Sequence, residues 1–118
     1  MILTLDIQNK TLKKVPSKKE LEKAALKVFK DKKIEGDFEI GLRIVGKAEI
    51  KKLNKVYRKI DSATDVLSFP IFQKPPKNEK KIPLGDIIIC YEFINYDPDI
   101  FKELLTHGLL HLLGYHHK

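Results

Sequence analysis

The sequence predicts one α+β domain over residues 1–118, with a mixed central sheet of about four strands and helices packed on it. Three observations support this prediction. Apolar and polar residues alternate in two separate segments, as in half-buried strands. Apolar residues recur at helical spacing after a capping signal at Ser17 and again near the C-terminal end. A stretch rich in proline and lysine separates two further strand-like segments.

The first part of the chain predicts a strand, a helix and a second strand. Residues 2–7 alternate and indicate the first strand. Ser17 and Glu20 have the spacing of a capping box, and the helix behind it is expected to continue to about Lys33. Residues 38–44 alternate again. This order favours a right-handed crossover that places the two strands parallel.

The middle of the chain predicts a short helix and two more strands. The helix begins at Gly46 and continues through Tyr57, and residues 65–69 follow as a strand. Residues 73–83 contain prolines and lysines and predict an exposed loop. Residues 84–90 predict a buried strand, so this loop is expected to join an antiparallel pair. Asp86 follows a glycine and is expected to have a turn role.

The last helix is predicted from about Pro98 to Leu113. Asp97 precedes it as a plausible N-cap, and Gly114 follows where a left-handed residue commonly ends a helix.

Composition favours a basic protein of the cytoplasm. Lysine and arginine number 23 against 16 aspartates and glutamates, which favours anionic partners such as nucleic acid. The single cysteine, Cys90, excludes an intramolecular disulfide, favours the cytosol, and follows three isoleucines as a core strand residue would. Neither a signal peptide nor an apolar run of membrane-spanning length is recognised, so no membrane association is expected.

The histidines of the last helix predict a metal site. His107 and His111 are four residues apart, so both imidazoles lie on one helical face. A turn at Gly114 can return either His116 or His117 to the same place. Three neutral imidazoles suit one zinc ion per chain, and an open fourth position is typical of a catalytic site.

The spacing of these histidines and of Gly114 is that of the metzincin proteases. Gly108 stands where such a protease has its general-base glutamate, and no methionine follows to form a Met-turn. A small zinc metallopeptidase therefore remains an alternative that Gly108 disfavours.

Three motifs, in order along the chain, resemble the YbeY family of metal-dependent endoribonucleases. The C-terminal motif is His-Gly-Leu-Leu-His-Leu-Leu-Gly-Tyr-His-His over residues 107–117, with His116 where the family has aspartate. The second is Leu-Asn-Lys-Val-Tyr-Arg over residues 53–58, leading into Thr-Asp-Val-Leu-Ser-Phe-Pro over residues 64–70. The third is Leu-Gly-Asp-Ile over residues 84–87.

This resemblance implies a function and assigns roles to residues. It implies cleavage of single-stranded RNA in maturation of the 3′ end of small-subunit (16S) ribosomal RNA, with contacts to the ribosome or its small-subunit proteins. It makes His117 the third zinc ligand beside His107 and His111, with His116 as the alternative. Arg58, which would otherwise be taken for a surface charge, matches the functional arginine of the family. A non-catalytic, ribosome-associated RNA-binding module with structural zinc remains an alternative.

Overall fold

The computed structural model describes residues 2–73, 81–94 and 97–115. Its elements follow the predicted order. They are β1 (Ile2–Asn9), α1 (Lys18–Asp31), β2 (Asp37–Val45), α2 (Lys47–Arg58), β3 (Val66–Pro70), β4 (Ile82–Cys90), a 3-10 turn (Tyr91–Phe93) and α3 (Pro98–Leu112).

The predicted caps form at the helix ends. The Ser17 side chain accepts a hydrogen bond from the Glu20 backbone N–H at 3.2 Å. The Asp97 carboxylate accepts one from the Asp99 N–H at 2.9 Å, satisfying a donor that the first turn of α3 cannot use itself. Gly114 has a φ of 94°, so the chain turns just after α3 as the sequence predicts.

The four strands form one mixed sheet in the order β1-β2-β4-β3. β1 and β2 are parallel, and β3 and β4 are antiparallel, as predicted. β4 also pairs with β2 in parallel, which makes it a central strand. Its central position explains its nearly continuous apolar sequence, because side chains on both of its faces are covered.

The sheet separates two hydrophobic cores of unequal size. Helices α1 and α3 cover one face, where the larger core contains Phe29, Phe101 and Leu109. Helix α2 lies against the other face over a smaller core that includes Ile50 and Ile88. The predicted α+β class is confirmed, with helices on both faces of the mixed sheet.

Cys90 belongs to the smaller core, as predicted. Its side chain is buried, and that burial raises the pKa of the thiol. The thiol therefore stays protonated at neutral pH and is a packing residue.

The predicted turn at Asp86 is wrong. Asp86 lies inside β4, opposite Gly41 on one side and Phe69 on the other. The register between β2 and β4 shifts just before this point, and Gly85 has a φ of 134°. The glycine therefore permits a bulge within the strand, where the local sequence resembles that of a turn.

Within the described ranges, no helix combines the length and the apolar character that a membrane crossing requires.

Candidate functional site

A cleft lies along β3, the edge strand of the sheet beside β4. Helices α2 and α3 pack on opposite faces of the sheet, and both contribute residues to this cleft. Its volume is about 240 Å³. The residues that line it are Asn54, Arg58, Ile60, Thr64, Val66, Leu67, Ser68, His107, Gly108 and His111.

His107 and His111 lie side by side in this cleft. Their ring centroids are 5.0 Å apart, and their planes are inclined by 22°. His107 is exposed, whereas His111 is half-buried. The predicted pairing on one helical face is thus present, with two imidazoles close enough to be ligands of one ion.

Close packing at Gly108 holds this histidine pair against the sheet. Gly108 is buried, and a Cβ atom added to it would lie 2.8 Å from Cγ2 of Ile87 in β4. Only a glycine lets the helix approach the strand this closely. The same contact leaves no room at position 108 for the glutamate of a metalloprotease.

Arg58 enters the cleft from the other face of the sheet. It is the last residue of α2, and its guanidinium donates a hydrogen bond of 2.7 Å to the backbone carbonyl of Ser68 in β3. Its Cζ atom lies 5.7 Å from the centroid of the Phe69 ring, within the range of a cation–π contact. A guanidinium has five N–H donors, so one bond to Ser68 is compatible with binding a phosphate.

Asn54 is a cleft residue to which the sequence assigned no role. It is buried, one helical turn before Arg58, and its side-chain amide donates a hydrogen bond of 3.0 Å to the carbonyl of Ser62. This bond ties the loop after α2 to the helix that carries Arg58. One sequence feature could have identified Asn54: its amide lies four residues before Arg58, and therefore on the same face of the helix.

The two described imidazoles fit zinc in donor type and in mutual position. Among the described residues, no group of three or more histidine, cysteine, aspartate or glutamate side chains could hold a metal ion. The predicted third ligand, His117, and its alternative, His116, lie outside the described residues. The turn at Gly114 leads from α3 toward them.

Comparisons with known proteins agree with this architecture. The family model described as Endoribonuclease YbeY matches residues 5–118. Endoribonuclease YbeY of Persephonella marina is 38% identical, over 86% of this chain and 71% of its own length. Endoribonuclease YbeY of Legionella pneumophila strain Corby is 39% identical, over 99% of this chain and 78% of its own length.

A solved structure resembles the fold as well. The solution structure of a Thermotoga maritima protein superposes with a TM-score of 0.51 at 24% identity, covering 99% of this chain and 75% of that one. At this identity the likeness concerns the fold alone, whereas the family match and the relatives above extend over most of the sequence. The chain belongs to the endoribonuclease YbeY family.

Proposed function

We propose that the protein is a zinc-dependent endoribonuclease that hydrolyses phosphodiester bonds in single-stranded RNA. Its proposed role is maturation of the 3′ end of 16S ribosomal RNA, in the cytoplasm and in contact with the ribosomal small subunit. Family membership supports the nuclease activity. The proposed zinc rests on the histidine pair and the C-terminal motif, and the RNA that is cut and the ribosomal contact rest on the sequence motifs.

One observation carries the proposal. Arg58, from a helix on one face of the sheet, and the pair His107 and His111, from a helix on the other face, line the same cleft at the edge of β3. A permanently charged fork beside two potential metal ligands is an arrangement suited to an anionic substrate such as a phosphodiester.

The histidine pair is the proposed metal half of the site. His107, His111 and His117 would hold one zinc ion per chain, with His116 as the alternative third ligand. A zinc ion bound there supplies a Lewis acid at neutral pH. Helix α3 holds its two histidines in fixed positions relative to each other. The packing of Gly108 on Ile87 in turn fixes the position of this helix on the sheet.

Arg58 is the proposed anion-binding half of the site. Its guanidinium binds non-bridging oxygens of the scissile phosphate and stabilises the charge that grows on them in the transition state. The hydrogen bond to Ser68 holds the guanidinium in place before substrate binds. Of the described residues that line the cleft, none has a carboxylate, so a carboxylate base is not part of the proposal.

The overall charge supports RNA as the substrate. The formal net charge is +7, and α2 with the residue after it carries six basic residues against one acidic residue. Such a surface attracts a polyanion without regard to its sequence. A peptide substrate is disfavoured because the contact between Gly108 and Ile87 excludes the protease base.

Replacing Arg58 tests the proposal. We expect Arg58→Ala to retain its zinc and its fold but to cleave a labelled single-stranded RNA about 10²–10³-fold more slowly, the usual effect of losing one preorganised electrostatic donor. Arg58→Lys should recover only part of this loss, because an ammonium cannot bind two phosphate oxygens as a planar fork does. Single-turnover cleavage, with zinc content measured on the same preparations, checks both expectations.

Binding of the same RNA provides the control for this test. Many lysines share the non-specific phosphate contacts, so Arg58→Ala should bind only slightly more weakly than the wild type. Cleavage by Arg58→Ala at the wild-type rate would remove Arg58 from the mechanism. Equal losses of cleavage and binding would favour the non-catalytic RNA-binding module with structural zinc.

A further inference from the structure

Two aromatic rings lie beside the cleft and take no part in the proposed chemistry. Tyr57, the residue before Arg58, packs edge-on against Phe69 of β3, with ring centroids 5.3 Å apart and planes inclined by 64°. We call Tyr57 and Phe69 the aromatic pair. Tyr57 nevertheless remains 63% exposed, so much of its ring surface is accessible to a partner.

The aromatic pair is attached to the cleft through Arg58. The Phe69 ring forms an edge-type contact with the Tyr57 ring, and Cζ of Arg58 lies 5.7 Å from the centroid of the Phe69 ring. Arg58 in turn lines the cleft with His107 and His111. A group lying on Tyr57 would therefore be a near neighbour of a phosphate bound by Arg58.

The surroundings of the pair favour a nucleic acid over a protein. Three exposed apolar residues lie close to the aromatic pair in sequence, namely Val56, Ile60 and Ile71. These apolar side chains by themselves would be compatible with a protein or a nucleic-acid partner. The same helix also carries Lys51, Lys52 and Lys55, and the sequence continues with Lys59. The lysines of this helix lie on other sides of it than Tyr57, and the cation next to the aromatic pair is Arg58. An exposed aromatic ring with a guanidinium beside it is a combination by which proteins bind single strands, with a base on the ring and a phosphate on the cation.

We propose that Tyr57 is a stacking site for an unpaired base that flanks the phosphate bound by Arg58. Phe69 is a positioning residue that supports the Tyr57 ring from the side. This inference rests on the proposed function, because it places the base relative to the phosphate that Arg58 binds. Stacking at this position would favour unpaired RNA over a duplex. A base in a duplex must first be unpaired and unstacked, and that step costs free energy.

Binding of a short, labelled, single-stranded RNA in the presence of EDTA tests the stacking site, because the RNA stays intact when divalent metal is removed. We expect Tyr57→Ala to weaken binding about 5–150-fold, the range for losing one base–aromatic stack. Tyr57→Phe should bind within about twofold of the wild type, since a phenyl ring still stacks. Val56→Ala is the matched control, because Val56 is adjacent and 56% exposed, and it should bind as the wild type does.

Abasic substitutions in the RNA show whether the lost interaction is stacking. One base at a time is removed along the oligonucleotide. At one position, the missing base should weaken binding to the wild type about as much as Tyr57→Ala does, and should weaken binding to Tyr57→Ala no further. Binding of Tyr57→Ala at wild-type strength would overturn the proposal. So would a loss in Tyr57→Ala that adds to the effect of every abasic position.

The two proposals fail in different ways. If the zinc-loaded wild type cleaves no RNA but the binding pattern above is found, the nuclease proposal fails and the stacking site stands. If the wild type cleaves RNA and Tyr57→Ala binds as tightly as Val56→Ala, the stacking site fails alone.

Discussion

Helices α2 and α3 supply opposite sides of one cleft, yet they are anchored to the sheet very differently. α3 buries Phe101, Leu105, Gly108, Leu109 and Leu112 in the larger core. α2 buries only Ile50 and Asn54, and its remaining surface is largely lysine and exposed apolar side chains.

This difference separates two kinds of requirement. Metal ligands must keep fixed positions relative to one another, and a helix packed into the main core provides them. A surface that follows a flexible polyanion needs charge and exposure more than burial, and α2 provides those. We therefore expect substitutions on α3 to disturb metal binding and stability, and substitutions at the exposed site residues of α2 to affect RNA cleavage or binding while leaving metal content and stability unchanged.

The largest expected effect is loss of the metal from α3. His107→Ala or His111→Ala should remove most of the zinc from a protein that otherwise holds about one ion per chain, because each histidine supplies a direct bond. RNA cleavage should fall with it to background. Elemental analysis of the purified variants measures the zinc, and Thr106→Ala, next to His107 on the same helix, is the matched control. Unchanged zinc in both histidine variants would show that α3 is not the metal-binding helix.

A second test concerns the chain beyond α3. We expect His117→Ala to abolish zinc retention and His116→Ala to weaken it at most, because the family motif aligns His117 with the ligand and has aspartate at position 116. Zinc content after dialysis against a weak chelator distinguishes the two. Loss of zinc in His116→Ala together with retention in His117→Ala would show that His116, and not His117, is the third ligand.

The smallest of these effects is on stability, and it tests the anchoring of α3 directly. Gly108→Ala should destabilise the protein by about 1–2 kcal/mol, since a methyl group 2.8 Å from Ile87 overpacks the core by more than alanine gains as a helix former. Urea unfolding measures this change. Val56→Ala on α2 should change stability by less than about 0.5 kcal/mol, the usual limit for an exposed site.

Equal destabilisation by Gly108→Ala and Val56→Ala would contradict the comparison between the two helices. A double substitution sharpens it further. Ile87→Ala should cost less in the Gly108→Ala background than in the wild type, because the new methyl group fills part of the space that the isoleucine leaves.

Local signals explain what the sequence could predict. The helix ends followed from Ser17, Asp97 and Gly114, whose roles depend on neighbours a few residues away. The pairing of His107 with His111 followed in the same way, because four residues are only slightly more than one helical turn.

Non-local relations explain what it could not. The apolar run of β4 is compatible with several places in a sheet, and only packing on both faces makes it central. Asp86 has the local sequence of a turn, and its place in a bulge depends on the partner strands. Arg58 was singled out by the family resemblance, because no periodicity links a residue of α2 to the histidines of α3. Asn54 was overlooked since a polar residue in a lysine-rich helix resembles a surface residue.

The bond between Arg58 and Ser68 has a consequence for association between copies of the chain. On either side of β3, the backbone carbonyl of Asp65 accepts a hydrogen bond from the Cys90 N–H, and the Ile71 N–H donates one to the Leu84 carbonyl. The register between β3 and β4 is continuous from one of these bonds to the other, so every second residue of β3 directs its backbone groups toward β4. Ser68 directs its carbonyl away from β4, where an open edge could pair with a strand of another molecule.

Arg58 occupies that carbonyl, and Pro70, two residues on, has no N–H to offer a second chain. The residue proposed to bind phosphate thereby also protects the edge of the sheet against intermolecular strand addition. Its replacement by alanine would expose an aggregation-prone edge as well as weaken an active site, so a kinetic defect in that variant is meaningful only for protein shown to be monodisperse.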